Sequence, residues 1–151
     1  MIGLLQRVSS AQVVVGGEVI AATGRGLTVL VGVERGDGKA QAQRLAERLL
    51  GYRVFGDEDG KMNLSVRDMD GDLLLVPQFT LAADTHKGMR PSFTPAAAPE
   101  QGRALFDYLT DQMRRMHHKV FAGRFGTDMQ VSLTNDGPVT FWLRVEPEEE
   151  D

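Results

Sequence analysis

The sequence contains no cysteine and no long apolar run. Without cysteine the chain has no disulfides, no thiolate metal ligands and no cysteine nucleophile. No apolar segment approaches the length of a membrane span, and the first seven residues lack the basic region that precedes the apolar part of a signal peptide. These absences predict a cytoplasmic protein that does not associate with a membrane.

Most familiar catalytic motifs are missing as well. The sequence has no nucleophile elbow, Walker loop, metalloprotease helix or dinucleotide-binding glycine pattern. His86, His117 and His118 have no carboxylate at ligand spacing, which favours exposed or helix-end roles over metal binding. The acidic turn at 56–60 lacks the full EF-hand pattern and reads as a solvated turn. We therefore expect no metal site.

Acidic residues are concentrated at the C-terminus. The segment 146–151 carries five acids and no base, and without it the formal net charge of −4 becomes +1. A like-charged terminal run is typical of a solvated, disordered tail. We therefore predict one domain over residues 1–145, followed by this tail. The charge allows local contact with RNA but argues against the broad basic groove of a nonspecific nucleic-acid binder, and we expect no DNA partner.

Apolar periodicity predicts an α+β domain, with a mostly antiparallel, barrel-like sheet covered by two main helices. The predicted strands are 12–15 and 18–21 around a Gly-Gly turn, 26–33 buried on both faces, 52–55, and 73–81 interrupted at Pro77. The first helix is predicted from an N-cap at Asp37 to Gly51, with Ala42, Leu45, Ala46, Leu49 and Leu50 as its apolar stripe. The second is predicted to open at Pro99, with Leu105, Tyr108, Leu109, Gln112 and Met116 as its stripe.

The segment 129–145 reads as two strands joined by a turn at Asn135-Asp136-Gly137-Pro138. Pro138 is unusual there, because it cannot donate a backbone hydrogen bond and it restricts the residue before it. From the residues alone a trans turn is favoured, since most X-Pro bonds are trans. A cis bond is the alternative, and it would let two adjacent carbonyls point outward as a rigid pair of acceptors.

Several motifs in chain order resemble one known family. They are Gln6-Arg7-Val8, Gly60-Lys61-Met62-Asn63-Leu64, Gln78-Phe79-Thr80-Leu81, Gly88-Met89-Arg90-Pro91-Ser92-Phe93 and Asn135-Asp136-Gly137-Pro138-Val139-Thr140. Together they closely resemble the D-aminoacyl-tRNA deacylases, the D-tyrosyl-tRNA deacylase family. The resemblance extends from the N-terminus to Val145 and leaves out only the acidic tail.

The resemblance implies a homodimeric enzyme that needs no cofactor and acts on the acceptor end of aminoacylated tRNA. Such an enzyme hydrolyses the ester between a D-amino acid and tRNA. Gly137 and Pro138, joined by a cis bond, would enter the active site of the other subunit. Their carbonyls would hold the substrate's amino group and leave no room for an L side chain. Glycine has no side chain, so glycyl-tRNA would be accepted. Arg7 would hold this turn by donating to backbone carbonyls.

The resemblance also implies that Gln78, Phe79 and Thr80 form the catalytic wall, with backbone N–H groups directed at the oxyanion. Thr80 is a candidate nucleophile, but the sequence identifies no base to activate it. We favour attack by water assisted by the ribose 2′-OH of the tRNA. Phe125 and Met129 are candidates for an adenosine pocket, although core packing explains such apolar residues equally well.

The sequence departs from the family at one position, and two alternative functions remain open. The family usually has serine where this chain has Pro77, which removes a hydroxyl and a backbone N–H just before Gln78. The first alternative function is a noncatalytic module that binds a nucleotide or a tRNA end. The second is an esterase that uses Thr80 as its nucleophile.

Overall fold

The computed structural model describes residues 1–147, so four residues of the predicted tail, 148–151, lie outside the described residues. In the described part the elements are β1 (Ile2–Val15), β2 (Glu18–Thr23), β3 (Gly26–Gly32), α1 (Lys39–Gly51), β4 (Phe55–Gly56), β5 (Met62–Leu64), β6 (Asp72–Pro77), a 3-10 helix (Phe79–Ala82), α2 (Pro99–Met116), β7 (Val120–Ala122) and β8 (Gln130–Arg144). The prediction of an α+β domain with a barrel-like sheet and two main helices is confirmed.

The main sheet is built around β1. Strands β2 and β3 pair antiparallel with successive parts of β1 along one edge, and β8 pairs antiparallel along the other. Beyond β3 the pairing becomes parallel, from β3 to β6 and from β6 to β7. The sheet is therefore mixed. Its parallel part brings the ends of β3 and β6 to the same side of the molecule.

The predicted hairpin at 135–138 is wrong. Strand β8 runs antiparallel along β1 from the Gln130–Val14 pair to the Arg144–Ile2 pair and does not fold back on itself. Between the pairs Gln6–Thr140 and Val8–Asn135, β8 contains residues 136–139 where β1 contains only Arg7. These four residues are therefore an insertion in one long strand, like an enlarged β-bulge. We call residues 136–139 the β8 insertion.

Both helices cover one face of the sheet. The apolar stripe predicted for α1 is confirmed, since all five of its residues are buried. In α2, Leu105 and Leu109 are buried as predicted, but Gln112 is only half-buried, and Phe106 and Met113 belong to the core instead. Residues alternate across β6, so that Leu73 and Leu75 face the helices while Leu74 and Val76 pack in a second cluster on the other face. No helix of residues 1–147 is both long enough and apolar enough to cross a membrane.

Asp37 is not the N-cap of α1. The helix begins at Lys39, and its N-cap is Gly38, whose N–H donates to the Gln41 side chain at 2.8 Å. Asp37 instead accepts the N–H of Glu34 at 2.7 Å and the amino group of Met1 at 2.9 Å. Burial raises the pKa of the Asp37 carboxyl, and its hydrogen bond with the Met1 amino group opposes that rise.

The strand predicted at 52–55 is also mostly wrong, because only its last residue, Phe55, is in a strand. The turn that follows is closed by Asp57, which accepts the Asn63 side-chain amide at 2.7 Å and the N–H of Lys61 at 2.9 Å. These hydrogen bonds lower the pKa of the Asp57 carboxyl. The carboxylate is thus bonded within its own turn, which agrees with the predicted solvated turn.

Gly32 lets the 3-10 helix approach the end of β3. A Cβ atom on Gly32 would lie 2.9 Å from the Cβ of Leu81 and 3.4 Å from the backbone nitrogen of Ala82. The first of these distances is too short for two carbon atoms, and Leu81 could yield only if its backbone moved. Glycine at this position therefore determines how closely residues 78–82 pack against the sheet.

We expect Gly32→Ala to lower the free energy of unfolding by about 1–3 kcal/mol through overpacking. Gly51→Ala is the matched control, since its Cβ would meet no atom within 4 Å. That change should stabilise α1 by up to about 1 kcal/mol, because alanine restricts the unfolded chain more than glycine does. Urea unfolding of both variants measures the difference. Equal stability of the two variants would contradict the close contact at Gly32.

Candidate active site

A cavity of about 580 Å³ lies where β3 and β6 end, beside the first turns of α2. Its walls include Gln78, Phe79, Pro99, Phe106, Phe125 and Met129. The sequence-predicted residues Gln78, Phe79, Phe125 and Met129 are thus brought together around one space. Thr80, which follows them in the predicted catalytic wall, does not line this cavity.

The segment after β6 presents backbone N–H groups. Strand β6 ends at Pro77, and the N–H of Gln78 donates to the Val31 carbonyl at 2.8 Å, which continues the pairing with β3. The next two N–H groups, of Phe79 and Thr80, begin the 3-10 helix and have no hydrogen-bond acceptor within residues 1–147. Free N–H groups of this kind are expected at the start of a helix. The backbone N–H of Gln78 is therefore already hydrogen-bonded, whereas the backbone N–H groups of Phe79 and Thr80 can donate to a ligand.

The side chains of this segment are largely open to solvent. Phe79 is 61% exposed, and its ring contacts that of Phe93 with the centroids 5.4 Å apart. The side-chain amide of Gln78 donates to the Thr80 hydroxyl at 2.5 Å. No ionisable side chain of residues 1–147 is bonded to that hydroxyl, so the structure provides Thr80 with no base.

Two glycines that the sequence reading missed shape the far wall. A Cβ on Gly102 of α2 would lie 3.3 Å from the Phe125 ring, and one on Gly123 would lie 2.9 Å from the sulfur of Met129. Because both positions lack a side chain, Phe125 and Met129 can lie close to the backbone and leave the cavity open. A glycine on the buried face of a helix could have indicated such a contact.

Arg7 holds the β8 insertion by hydrogen bonds. Arg7 Nε donates to the Asp136 carbonyl at 3.0 Å, and Nη1 donates to the Val54 carbonyl at 2.8 Å. Gly137 has a φ of 135° and is followed by a cis bond to Pro138. A Cβ at Gly137 would lie 2.8 Å from a methyl carbon of Val139, so a larger residue does not fit.

Asn135 fixes the ends of the same insertion. Its side-chain oxygen accepts the N–H of Val139 at 2.9 Å, and its side-chain nitrogen donates to the Thr140 hydroxyl at 2.7 Å. Neither Gly137 nor Pro138 nor Arg7 lines the 580 Å³ cavity. Within one chain, the two groups of predicted site residues are therefore not brought together around that cavity.

The histidine pair lies elsewhere, at the end of α2. His117 is the C-cap, and its Nε2 lies 2.7 Å from the carbonyl oxygen of Gly71. His118 contacts Asp70, which also binds Lys119 at 3.0 Å. The hydrogen bond from Lys119 is the main reason that the pKa of the Asp70 carboxyl is lowered. Although one ligand atom from each of Asp70, His117 and His118 lies within 4.8 Å of the others, Lys119 already neutralises the carboxylate.

Comparison with known proteins extends over nearly the whole chain. The family model described as D-Tyr-tRNA(Tyr) deacylase matches residues 4–144. A protein of Nitrosococcus oceani named D-aminoacyl-tRNA deacylase is 65% identical over 147 residues, covering 97% of this chain and 95% of its own length. A protein of the same name from Alkalilimnicola ehrlichii is 64% identical and covers 97% of this chain and 98% of its own.

Solved structures share the fold. One titled c-Myc DNA Unwinding Element Binding Protein superposes with a TM-score of 0.93 at 39% identity, over 97% of this chain and 99% of that one. Another, titled as a probable eukaryotic D-amino acid tRNA deacylase, has a TM-score of 0.79 at 19% identity, over 94% of this chain and 97% of that one, and shows likeness of fold alone. From the family match and the near full-length identities, the chain belongs to the D-Tyr-tRNA(Tyr) deacylase family.

Proposed function

We propose that the protein hydrolyses the ester bond of D-aminoacyl-tRNA to free tRNA and D-amino acid, and that it excludes L-amino acids sterically. The observation that carries the proposal is the pair of free N–H groups, of Phe79 and Thr80, beside an apolar cavity. An ester carbonyl that is attacked becomes an oxyanion, and N–H groups fixed in advance stabilise it. Family membership supplies the substrate class.

The cavity suits the terminal adenosine of the tRNA. Its walls are mainly apolar, and Phe125 offers a ring on which a base can stack. Pro99 and Gly102 at the start of α2 form another wall. With the base in this space, the ribose and its ester would lie toward Phe79, next to the free N–H groups.

Water assisted by the ribose 2′-OH is the attacking group that we propose. Among the described residues that line the cavity, Asp128 is the only ionisable one. Thr80 lies outside the lining, and its hydroxyl accepts a hydrogen bond from Gln78. A threonine nucleophile needs a base to take its proton. The protein's contribution would be position and charge stabilisation, with the substrate supplying the hydroxyl.

For chiral selection we propose that Gly137 and Pro138 reach the cavity of a second copy of the chain. Three contacts support a rigid role for the β8 insertion: the hydrogen bond that Arg7 donates to Asp136, and the two in which the Asn135 side chain takes part, one as donor and one as acceptor. A rigid backbone rejects a misplaced side chain better than a mobile side chain does. Because selection would be by exclusion, many D-residues would be accepted, and glycyl-tRNA would be hydrolysed too.

The outer edge of β8 and its exposed apolar side chains support assembly into a homodimer. Within residues 1–147, β8 pairs with β1 along one edge only, and an unpaired strand edge is a ready surface for association. Trp142 is 56% exposed on this strand, and Phe141 and Val131 are exposed as well. Large exposed apolar side chains of this kind are typical of protein interfaces. The β8 insertion lies on the same strand, so an interface there could carry it to a partner.

We expect D-tyrosyl-tRNA to be hydrolysed at least about a hundredfold faster than L-tyrosyl-tRNA, because steric exclusion of a whole side chain is worth several kcal/mol. Release of labelled amino acid from both esters, and from glycyl-tRNA, measures this. Glycyl-tRNA should be hydrolysed at a rate near that of the D ester. Equal rates for the D and L esters would contradict the steric filter, and no turnover of any ester would support a noncatalytic binding module.

We expect Thr80→Ala to remain active, with kcat falling less than about tenfold, because the hydroxyl is not the nucleophile and the backbone N–H remains. Thr80→Ser is the matched control, since it preserves a hydroxyl. A loss of a thousandfold or more in the alanine variant, with activity retained in the serine variant, would establish the threonine-nucleophile esterase instead.

A site shared between subunits should be restored by mixing two damaged variants. Arg7→Ala weakens the hold on the β8 insertion, and Phe125→Ala damages the cavity, so each alone should be poorly active. In a mixed dimer one site combines the intact cavity with the intact insertion, and co-refolding should recover roughly a quarter of wild-type activity. Sites contained within one chain would recover nothing beyond the sum of the two variants.

A further inference from the structure

A second cavity of about 540 Å³ adjoins the first, and Phe106 and Phe125 line both. Its charged lining residues are Arg103, Asp107, Asp111, Arg114 and Arg124. All except Arg124 lie on α2 at spacings that place them on one side of the helix. Arg124 comes from the loop before β8 and closes the opposite side. We call this cavity the arginine groove.

The arginine side chains of the groove are available to bind a ligand. Arg103, Arg114 and Arg124 are exposed, and in the described range 1–147 none of the three lies within 4.0 Å of a carboxylate oxygen. Arg103 lies over the Phe125 ring at 5.3 Å, at the junction of the two cavities. Three guanidinium groups against two carboxylates give the groove a net positive charge.

We propose that the arginine groove binds the phosphodiester backbone of the single-stranded RNA that precedes the terminal adenosine. The proposal rests on the proposed function, which places that adenosine in the first cavity. The RNA backbone that precedes this adenosine is joined to the 5′ position of its ribose and continues over the surface beside the first cavity. The arginine groove is part of that neighbouring surface, since Phe106 and Phe125 line both spaces.

The chemistry of the groove favours RNA backbone over other anions. Guanidinium groups donate paired hydrogen bonds that match phosphate oxygens. The three arginines are spread along the groove, from Arg103 at the junction to Arg114 about three turns further along α2, which suits a chain of phosphates better than one small anion. Asp107 and Asp111 limit the attraction, so the groove adds to binding at the cavity and does not hold nucleic acid indiscriminately.

The test compares D-tyrosyl-tRNA with D-tyrosyl-adenosine, an ester that has the adenosine but no phosphate. We expect Arg114→Gln and Arg124→Gln each to lower kcat/KM for the tRNA ester about tenfold, the loss of one charged hydrogen-bonding group. The loss for the adenosine ester should be much smaller. For the tRNA ester, the slope of log(kcat/KM) against the logarithm of the salt concentration should become shallower by about 0.7 for each arginine removed.

Two further variants distinguish an effect of the groove from an effect of overall charge and from misfolding. Arg115→Gln removes an exposed arginine of the same helix that lies outside both cavities, and it should lower tRNA turnover less than twofold. Asp111→Asn removes a negative charge from the groove and should raise kcat/KM for the tRNA ester, a gain that a damaged fold would not produce. Equal losses for Arg114→Gln and Arg115→Gln, or equal losses for the two esters, would overturn the proposal.

Binding measurements keep the proposal testable if the enzyme hydrolyses neither ester. Fluorescence anisotropy with a labelled single-stranded RNA ending in CCA measures binding to the groove without catalysis. Arg124→Gln should weaken that binding about tenfold relative to Arg115→Gln. If wild-type protein hydrolyses the esters but the RNA binds both variants equally, the groove proposal fails and the proposed function stands. Competition by inorganic phosphate as strong as that of the RNA would identify a small-anion site and overturn the proposal.

Discussion

The antiparallel pairing of β1 with β8 is the interaction on which the other features depend. It extends from Ile2 with Arg144 to Val14 with Gln130, and the other edge of β1 carries β3 and β2. The ladder is interrupted where β8 contains four residues opposite Arg7. Because the strand resumes on both sides of the interruption, the extra residues must project from the sheet. Arg7 lies opposite these residues and donates a hydrogen bond to the first of them, so one side chain of β1 secures the backbone that β8 displaces.

Much of this fold follows from local pattern. The stripe of α1, the Gly-Gly turn before β2, the start of α2 at Pro99 and the end of β6 at Pro77 all depend on residues near in sequence. The residues around the cavity were predicted on another basis, the resemblance to a known family, which pointed to Gln78, Phe79, Phe125 and Met129.

What could not be predicted depends on partners distant in sequence. A turn-forming sequence at 135–138 predicts a hairpin, and only the long ladder with β1 makes those residues an insertion. Asp37 has the right residue type for an N-cap, but the Met1 amino group and the Glu34 N–H compete for its carboxylate. Gly102 and Gly123 carry no side-chain chemistry to notice. Apart from the place of Gly102 on the buried face of α2, their importance appears only when Phe125 and Met129 pack against them.

The two aromatic rings common to both cavities limit how the protein can change. Phe106 and Phe125 separate neighbouring spaces, so a smaller ring at either position enlarges both, and a shifted ring widens one while it narrows the other. Substitutions at these two positions should therefore combine non-additively with changes in either cavity. In evolution, a change at either ring that alters how the first cavity fits the end of a substrate would also alter how the arginine groove fits the chain behind that end. Such coupling would restrict which sequences can follow one another by single replacements.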